Sequence, residues 1–375
     1  MKSQNSKQHT NVVAVQPSTT FHQEDRVNYQ NRNTLKLAVF FAMLIAMALS
    51  ATSAFAQNAN PNDNPNQVAI LRWYQANTAP TTFSMGGGHA GTSPIVYDGE
   101  NIWVASTDGY LAEFSTDGKL LFGPVALPNG TYPVGMAFDG ANVWITDFNG
   151  NRVHKFNVNS RTLVASYNVG RNPYFIAFDG ANMWITNNGD NAVAAYKASS
   201  GALAKGPFST RGTSPTGVAF DGKCIWVANT DTNTVSIIDA GSTGGTCPLN
   251  GVTTSVPVSQ PFGLAYDGKS MWASYRGAGG NGPTGVIELS GTSGGYVATF
   301  GGCTSSGSGA GTVVFDGAYI WEAGASSGVC KYKSSQFTPP LGFVGKYSAG
   351  GSCNQVAFDA TNIWCSIGGS SIAKF

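Results

Sequence analysis

Charge is scarce in this sequence: Lys, Arg, Asp and Glu together make up 11% of 375 residues. No basic stripe forms along the repeats, so nucleic acid and anionic membrane surfaces are excluded as partners. His is scarcer still, with four copies, of which only His89 and His154 lie beyond residue 56. No HExxH pattern is present, and no Ser/His/Asp set assembles on one face, which leaves no catalytic residue to name. Helical periodicity is missing after residue 56, as is any apolar run long enough to span a membrane. Cys is absent before residue 224, and none of the six Cys falls in a CxxC or Cys/His cluster, which argues against structural zinc.

Gly and aromatics are plentiful instead, with 48 Gly and 11% aromatic residues, a composition of many turns and few helices. An Asp-Gly pair, Asp-Ala in the last copy, sits five residues before a Trp seven times: YDGENIW, FDGANVW, FDGANMW, FDGKCIW, YDGKSMW, FDGAYIW and FDATNIW. The Trp residues are 103, 144, 184, 226, 272, 321 and 364, spaced by 41, 40, 42, 46, 49 and 43. That period belongs to solenoids, arrays or propellers. In the second copy Gly135 to Phe138 is a short apolar run that turns back at Asp139-Gly140. Asn142 to Thr146, Arg152 to Val158 and Leu163 to Val169 follow as three more strands, separated by Asn149-Gly150 and Asn159-Ser160. Four-stranded meanders repeated about every 40 residues predict an all-β, seven-bladed β-propeller over 68-375, with each Trp packed between blades.

The last copy supplies only three strands, ending at Phe375. Val68 to Gln75 is expected to provide the fourth, so that an N-terminal strand closes the ring in the last blade and hides two sheet edges. Upstream, Leu37 to Leu49 is apolar, preceded by Arg26, Arg32 and Lys36 and followed by Ala54-Phe55-Ala56. Residues 1-56 therefore read as a disordered lead plus signal peptide, with retention as an anchor the alternative, and 57-67 as a polar linker. Cleavage leaves 16 basic against 18 acidic residues, a net charge of −2. A secreted or periplasmic monomer is expected, and six Cys in the exported part imply disulfides. Cys224 and Cys247 fall on the same rim of one meander and are expected to pair, while Cys303, Cys330, Cys353 and Cys365 leave their pairing open.

The pattern P-x-G-x-A-F-D-G-A-N-x-W-x-x-N-x-x-x-N-x-V resembles the YVTN and NHL-type bacterial propeller repeats, and it is similar to the streptogramin (virginiamycin B) lyase propeller. The resemblance covers all seven copies and implies seven blades. For the lyase it also implies a metal-assisted elimination run by His and Glu around the central opening. Here no copy has His after the Pro opening strand one, where Ile95, Val134, Tyr174, Thr216 and Phe262 stand, and none has Glu three residues after the Trp.

In a meander blade the loop entering strand one and the turn from strand two to strand three share one face around the axis. Candidate ligand-binding residues on that face are Tyr132, Asp147, Tyr174, Asn187, Asn229, Phe262, Tyr275 and Arg276. Three of the rings, on Tyr174, Phe262 and Tyr275, are expected to converge on the opening. Aromatic plates beside amides suit an unknown protein partner or a neutral small-molecule or glycan ligand bound without catalysis. No cofactor is expected. The alternative is a metal-dependent lyase or lactonase-like enzyme in which Mg2+ or Ca2+ is held by Asp147 with Asn187 and Asn229, or by Asp147 with Glu322. Glu322 is a candidate buried acid, because other copies place Val104, Ile145, Ile185, Val227, Ala273 and Cys365 at its position.

Overall fold

A computed structural model describes residues 80–375, apart from 129–130, 242–246, 278–282, 305–308, 325–327 and 334–341. These residues form seven antiparallel sheets of four strands each. The first strand of every sheet lies beside the first strands of its two neighbours, so seven first strands ring the axis and seven fourth strands form the outer edge. Besides strands, the described residues contain one short 3-10 turn, at Asn188–Asp190.

One hydrogen-bond device is repeated in all seven blades. The Asp that precedes the turn residue, Gly in six blades and Ala360 in blade seven, accepts a bond from the indole Nε1 of the Trp five residues after the Asp, at 2.6 to 2.9 Å. Its other oxygen accepts the backbone amides two and three residues on, as Asp139 does from Ala141 and Asn142. The carboxylate thus closes the hairpin and fixes the indole that the next blade packs against, and all seven Trp are fully buried. Gly suits the turn because φ there is near +96° in blade two; Ala360 adopts φ +72° in blade seven, a left-handed conformation that burdens a residue with a Cβ.

Neighbouring inner strands approach closely wherever the third position of strand one is Gly. A Cβ on Gly135 would lie 2.6 Å from the Tyr174 carbonyl oxygen, and one on Gly217 would lie 2.3 Å from that of Phe262. Strand-two hydroxyls lock the same junctions: Thr146 donates to the Tyr174 carbonyl, Thr186 to that of Thr216, Ser274 to that of Gly311 and Ser366 to that of Ser93. The last of these joins blade seven to blade one.

Ring closure uses an N-terminal strand, but a later one than the sequence suggests. Thr81–Ser84 pairs with Ser371–Lys374 and completes blade seven. Val68 to Gln75 lies outside the described residues, and the place assigned to it is taken. The physical reason is the length of the connection: elsewhere four to six residues join a fourth strand to the next first strand, Ser84 reaches Thr92 across seven, and Gln75 would leave 16. The fourth strand of six blades also sets one aromatic ring against its blade's indole. These rings are Phe122, Tyr167, Phe208, Phe300, Tyr347 and, in blade seven, Phe83 at 5.7 Å from Trp364. Blade four has the Cys224–Cys247 disulfide in its outer half instead, the pairing favoured by rim position. Cys303 joins Cys330 across blades five and six, and Cys353 joins Cys365 within blade seven. Among the described residues no helix is long and apolar enough to cross a membrane. The lead, signal and linker assigned to 1-67 lie outside the described residues.

Candidate functional site

At one mouth of the ring a cavity of about 430 Å3 opens to solvent. Blade one lines it with Ser93 and Thr107, blade two with Tyr132 and Val134, blade three with Tyr174 and Phe175, and blade five with Phe262 and Arg276. Gly309, Ala310 and Gly311 from blade six and Asn354 and Gln355 from blade seven complete the wall. Beneath it the axis is packed by Ile95, Met136, Val218, Leu264, Val313 and Val356, leaving about 20 Å3, room for about one water. The mouth is therefore a bowl with a floor.

Rings build one side of the bowl. Tyr132 meets Phe148 edge-on at 6.3 Å, Phe148 meets Tyr174 at 5.8 Å, and Tyr174 meets Phe262 at 5.7 Å. Phe175 touches Phe262 at 5.2 Å, so blades three and five meet over blade four. On the other side Gln355 Nε2 donates across the opening to the Val134 carbonyl at 2.6 Å and to Ser93 Oγ at 3.3 Å. The Arg276 guanidinium lies over the Phe262 ring, 3.4 Å from its centroid, and its Nε donates to the Ala310 carbonyl at 3.0 Å. The Tyr174 hydroxyl and the Arg276 side chain interact electrostatically. Burial pushes the Tyr174 phenol up and the Arg276 guanidinium down from their usual ranges, and each group partly offsets the other's shift.

Of the residues expected on this face, Tyr132, Tyr174, Phe262 and Arg276 come together. Asp147, Asn187, Asn229 and Tyr275 do not line the bowl; all four are buried. The third residue after the Trp is still inside strand two, where side chains alternate between the two neighbouring blades rather than rising onto the face. Asp147 accepts the amides of Tyr132 and Gly150, a turn-building role. Burial opposes its ionisation, yet those bonds and His154 hold its carboxyl below the usual range. Asn187 and Asn229 tuck under Gly170 and Gly212, and the Tyr275 ring fills space left by Gly285 and Gly301. The fourth residue after the Trp is the one that leaves the strand, and Thr107, Phe148 and Arg276 stand there. Shifting the column by one residue would have found Thr107 and Phe148. Phe175 and Gln355 were legible too, as bulky residues in a column that is Gly in blades two, four and five. In blade one Thr92, rather than Pro94, opens strand one opposite Ser106, so Ser93 and not Ile95 occupies the column after the opening residue.

A Ser, a His and an Asp do meet inside blade two, away from the bowl. His154 Nδ1 is 2.7 Å from Ser166 Oγ, and Nε2 is 3.1 Å from Thr131 Oγ1 and 3.6 Å from Asp147 Oδ2. Ser166 is on the outermost strand, Asp147 already serves two amides, and none of the three lines the bowl. The set ties strands two, three and four together. Glu322 is fully buried in blade six, where Tyr332 donates to its Oε2 at 2.7 Å. Its Oε1 has no partner among the described residues, and burial pushes its carboxyl up to about 8 despite the Tyr332 bond. Asp147 and Glu322 thus sit in different blades with separate partners, so a shared metal site does not form from them. Among the described residues no group of three or more His, Cys, Asp and Glu is arranged to hold a metal ion.

Comparison with solved structures places this arrangement among propellers. The streptogramin B lyase structure is 14% identical with a TM-score of 0.59, over 79% of this chain and 96% of that one. Virginiamycin B lyase from Staphylococcus aureus is 15% identical with a TM-score of 0.60, over 79% and 98%. The RRP9 WD40 repeats are 14% identical with a TM-score of 0.66, over 80% and 98%. The likeness is one of fold. No family model matches the chain, and neither does any curated protein. Propellers of one architecture here include a lyase and a WD40 repeat protein, so the site must argue for itself.

Proposed function

We propose that this chain is an exported, monomeric, non-catalytic propeller that binds a small ligand in the bowl at the ring mouth. Residues 1-56 serve as lead and signal, and 57-67 as a linker to the ring. The observation that carries the reading is the aromatic side of the bowl, where Tyr132, Tyr174, Phe175 and Phe262 offer ring faces and edges above a packed floor. Its volume lies within the range of about 300 to 1,000 Å3 common for small-molecule sites. The described wall contains no carboxylate, His or Cys, so its hydroxyls have no neighbouring general base in the wall to activate them, which supports a binding rather than a catalytic reading. Three disulfides support an oxidising compartment. A thermal-shift screen of small molecules tests the reading. Hits should raise the melting temperature of the wild type but not of the Tyr132→Asn, Tyr174→Val double variant, which carries the residues blades three and two have at those positions. Hits that stabilise both proteins equally would place binding elsewhere.

A further inference from the structure

Arg276 is the one charged residue lining the bowl among those described. It is half-buried, stacked on Phe262 and anchored through Nε to the Ala310 carbonyl. No carboxylate of the described residues pairs with it. The internal segments left undescribed contain no Asp or Glu in their sequence, so none of them offers a counter-charge. The chain holds its other cations in several ways. Buried Lys155 sits 3.8 Å from Asp139, the more exposed Arg161 and Arg171 pair with Glu113 and Asp190, Lys205 and Lys374 donate to backbone carbonyls, and Lys331 lies over the Tyr319 and Trp321 rings, none of them at the mouth of the ring. A half-desolvated guanidinium held beside aromatic rings, with no carboxylate partner among the described residues, is an open half of an ion pair. Its planar fork favours a planar anion, and the burial that weakens its hydration strengthens the attraction.

We infer that the bowl takes an aromatic monocarboxylate, its carboxylate on Arg276 and its ring among Tyr132, Tyr174 and Phe262. This rests on the bowl being the binding site, and it replaces the neutral ligand expected from the sequence with an anionic one. The selectivity is local, because the exported chain is itself slightly negative and offers no general pull on anions. Three neighbours supply what a ring and a carboxylate need: edge-on contacts from Tyr132 and Tyr174, and a hydroxyl from Thr107 on the wall. A ligand with the charge but no ring would leave the aromatic side unfilled, and one with a ring but no charge would leave Arg276 unpaired.

Phenylacetate and its neutral isostere phenylacetamide separate these terms when titrated calorimetrically into the full chain at pH 7. Phenylacetate is expected to bind at least tenfold more tightly than phenylacetamide, and to weaken as salt rises from 50 to 500 mM. Arg276→Gln should remove that advantage, and Arg276→Lys should restore part of it. Circular dichroism on both variants checks the fold, and the salt dependence of the wild type stands even if one variant misfolds. Equal affinity for the two probes would overturn the anion assignment and leave the bowl reading intact. Phenylacetate binding that survives Tyr132→Asn with Tyr174→Val would overturn the bowl reading as well. Failure of both probes to bind at 10 mM would overturn the ligand class.

Discussion

The ring mouth and the Trp-Asp hairpins follow opposite rules. The hairpins repeat one solution seven times, with the same donor, acceptor and turn in every blade. At the mouth the copies diverge: blade three has Tyr174 and Phe175, blade five has Phe262 and Arg276, blade seven has Gln355, and blade four contributes nothing. Packing needs the same surface at each junction, and identical sequence supplies it. A bowl that recognises one ligand has no sevenfold symmetry, so its residues must break the repeat. On the proposed reading, regularity in this chain marks what folds, and departure at the mouth marks what binds.

Breaking a hairpin should do the most damage to stability. Asp179→Ala removes the acceptor of Trp184 and of the Ala181 and Asn182 amides at once. It should cost about 3 kcal/mol in urea unfolding. A loss under about 1 kcal/mol would show that the tie is incidental. Glu322 is the next lever, a departure buried in the framework rather than displayed at the mouth. Its folded-state pKa, about 8, exceeds the unfolded value of 4.5, so the folded chain holds a proton there that the unfolded chain has released. Its contribution is therefore greatest below about pH 4.5 and declines as pH rises to 8. Between pH 5 and 7 that slope is at most about 1.4 kcal/mol per unit. Glu322→Gln should flatten it, and an unchanged pH profile would contradict the assignment.

Closing the ring is worth somewhat less per residue. Phe83→Ala strips Trp364 of the ring on its outer side and should lower stability by about 2 kcal/mol, as judged by urea unfolding. The smallest change sharpens the comparison in the other direction. Ala360→Gly restores the turn residue of the other six copies at φ +72° and should gain up to about 1 kcal/mol in the same assay.

The fold was legible because its cause is repeated: Asp-Gly and Trp at fixed spacing encode the turn and the buried indole in each copy. The closing strand was misplaced because Val68 to Gln75 imitates the break after an ordinary fourth strand. The strand that closes the ring carries a single informative residue, Phe83. Half of the site was legible, since Tyr132, Tyr174, Phe262 and Arg276 interrupt the pattern in loops or at strand starts. Asp147, Asn187, Asn229 and Tyr275 misled because a turn-like residue at the end of a strand still obeys the strand's alternation. Contacts over the axis, such as Gln355 with Val134 or Phe175 with Phe262, join positions far apart in sequence and leave no local signature.

The central claim, that departures at the mouth serve binding and not folding, is tested most directly by one paired measurement. Unfolding free energy is determined for the wild type and for Tyr132→Asn, Tyr174→Val, each with and without 10 mM phenylacetate. The account predicts that without ligand the two proteins agree within about 1 kcal/mol, since Tyr132 is exposed and Tyr174 only half-buried. With ligand, only the wild type should gain stability. A variant that loses several kcal/mol without ligand, or gains as much as the wild type with it, would contradict the claim.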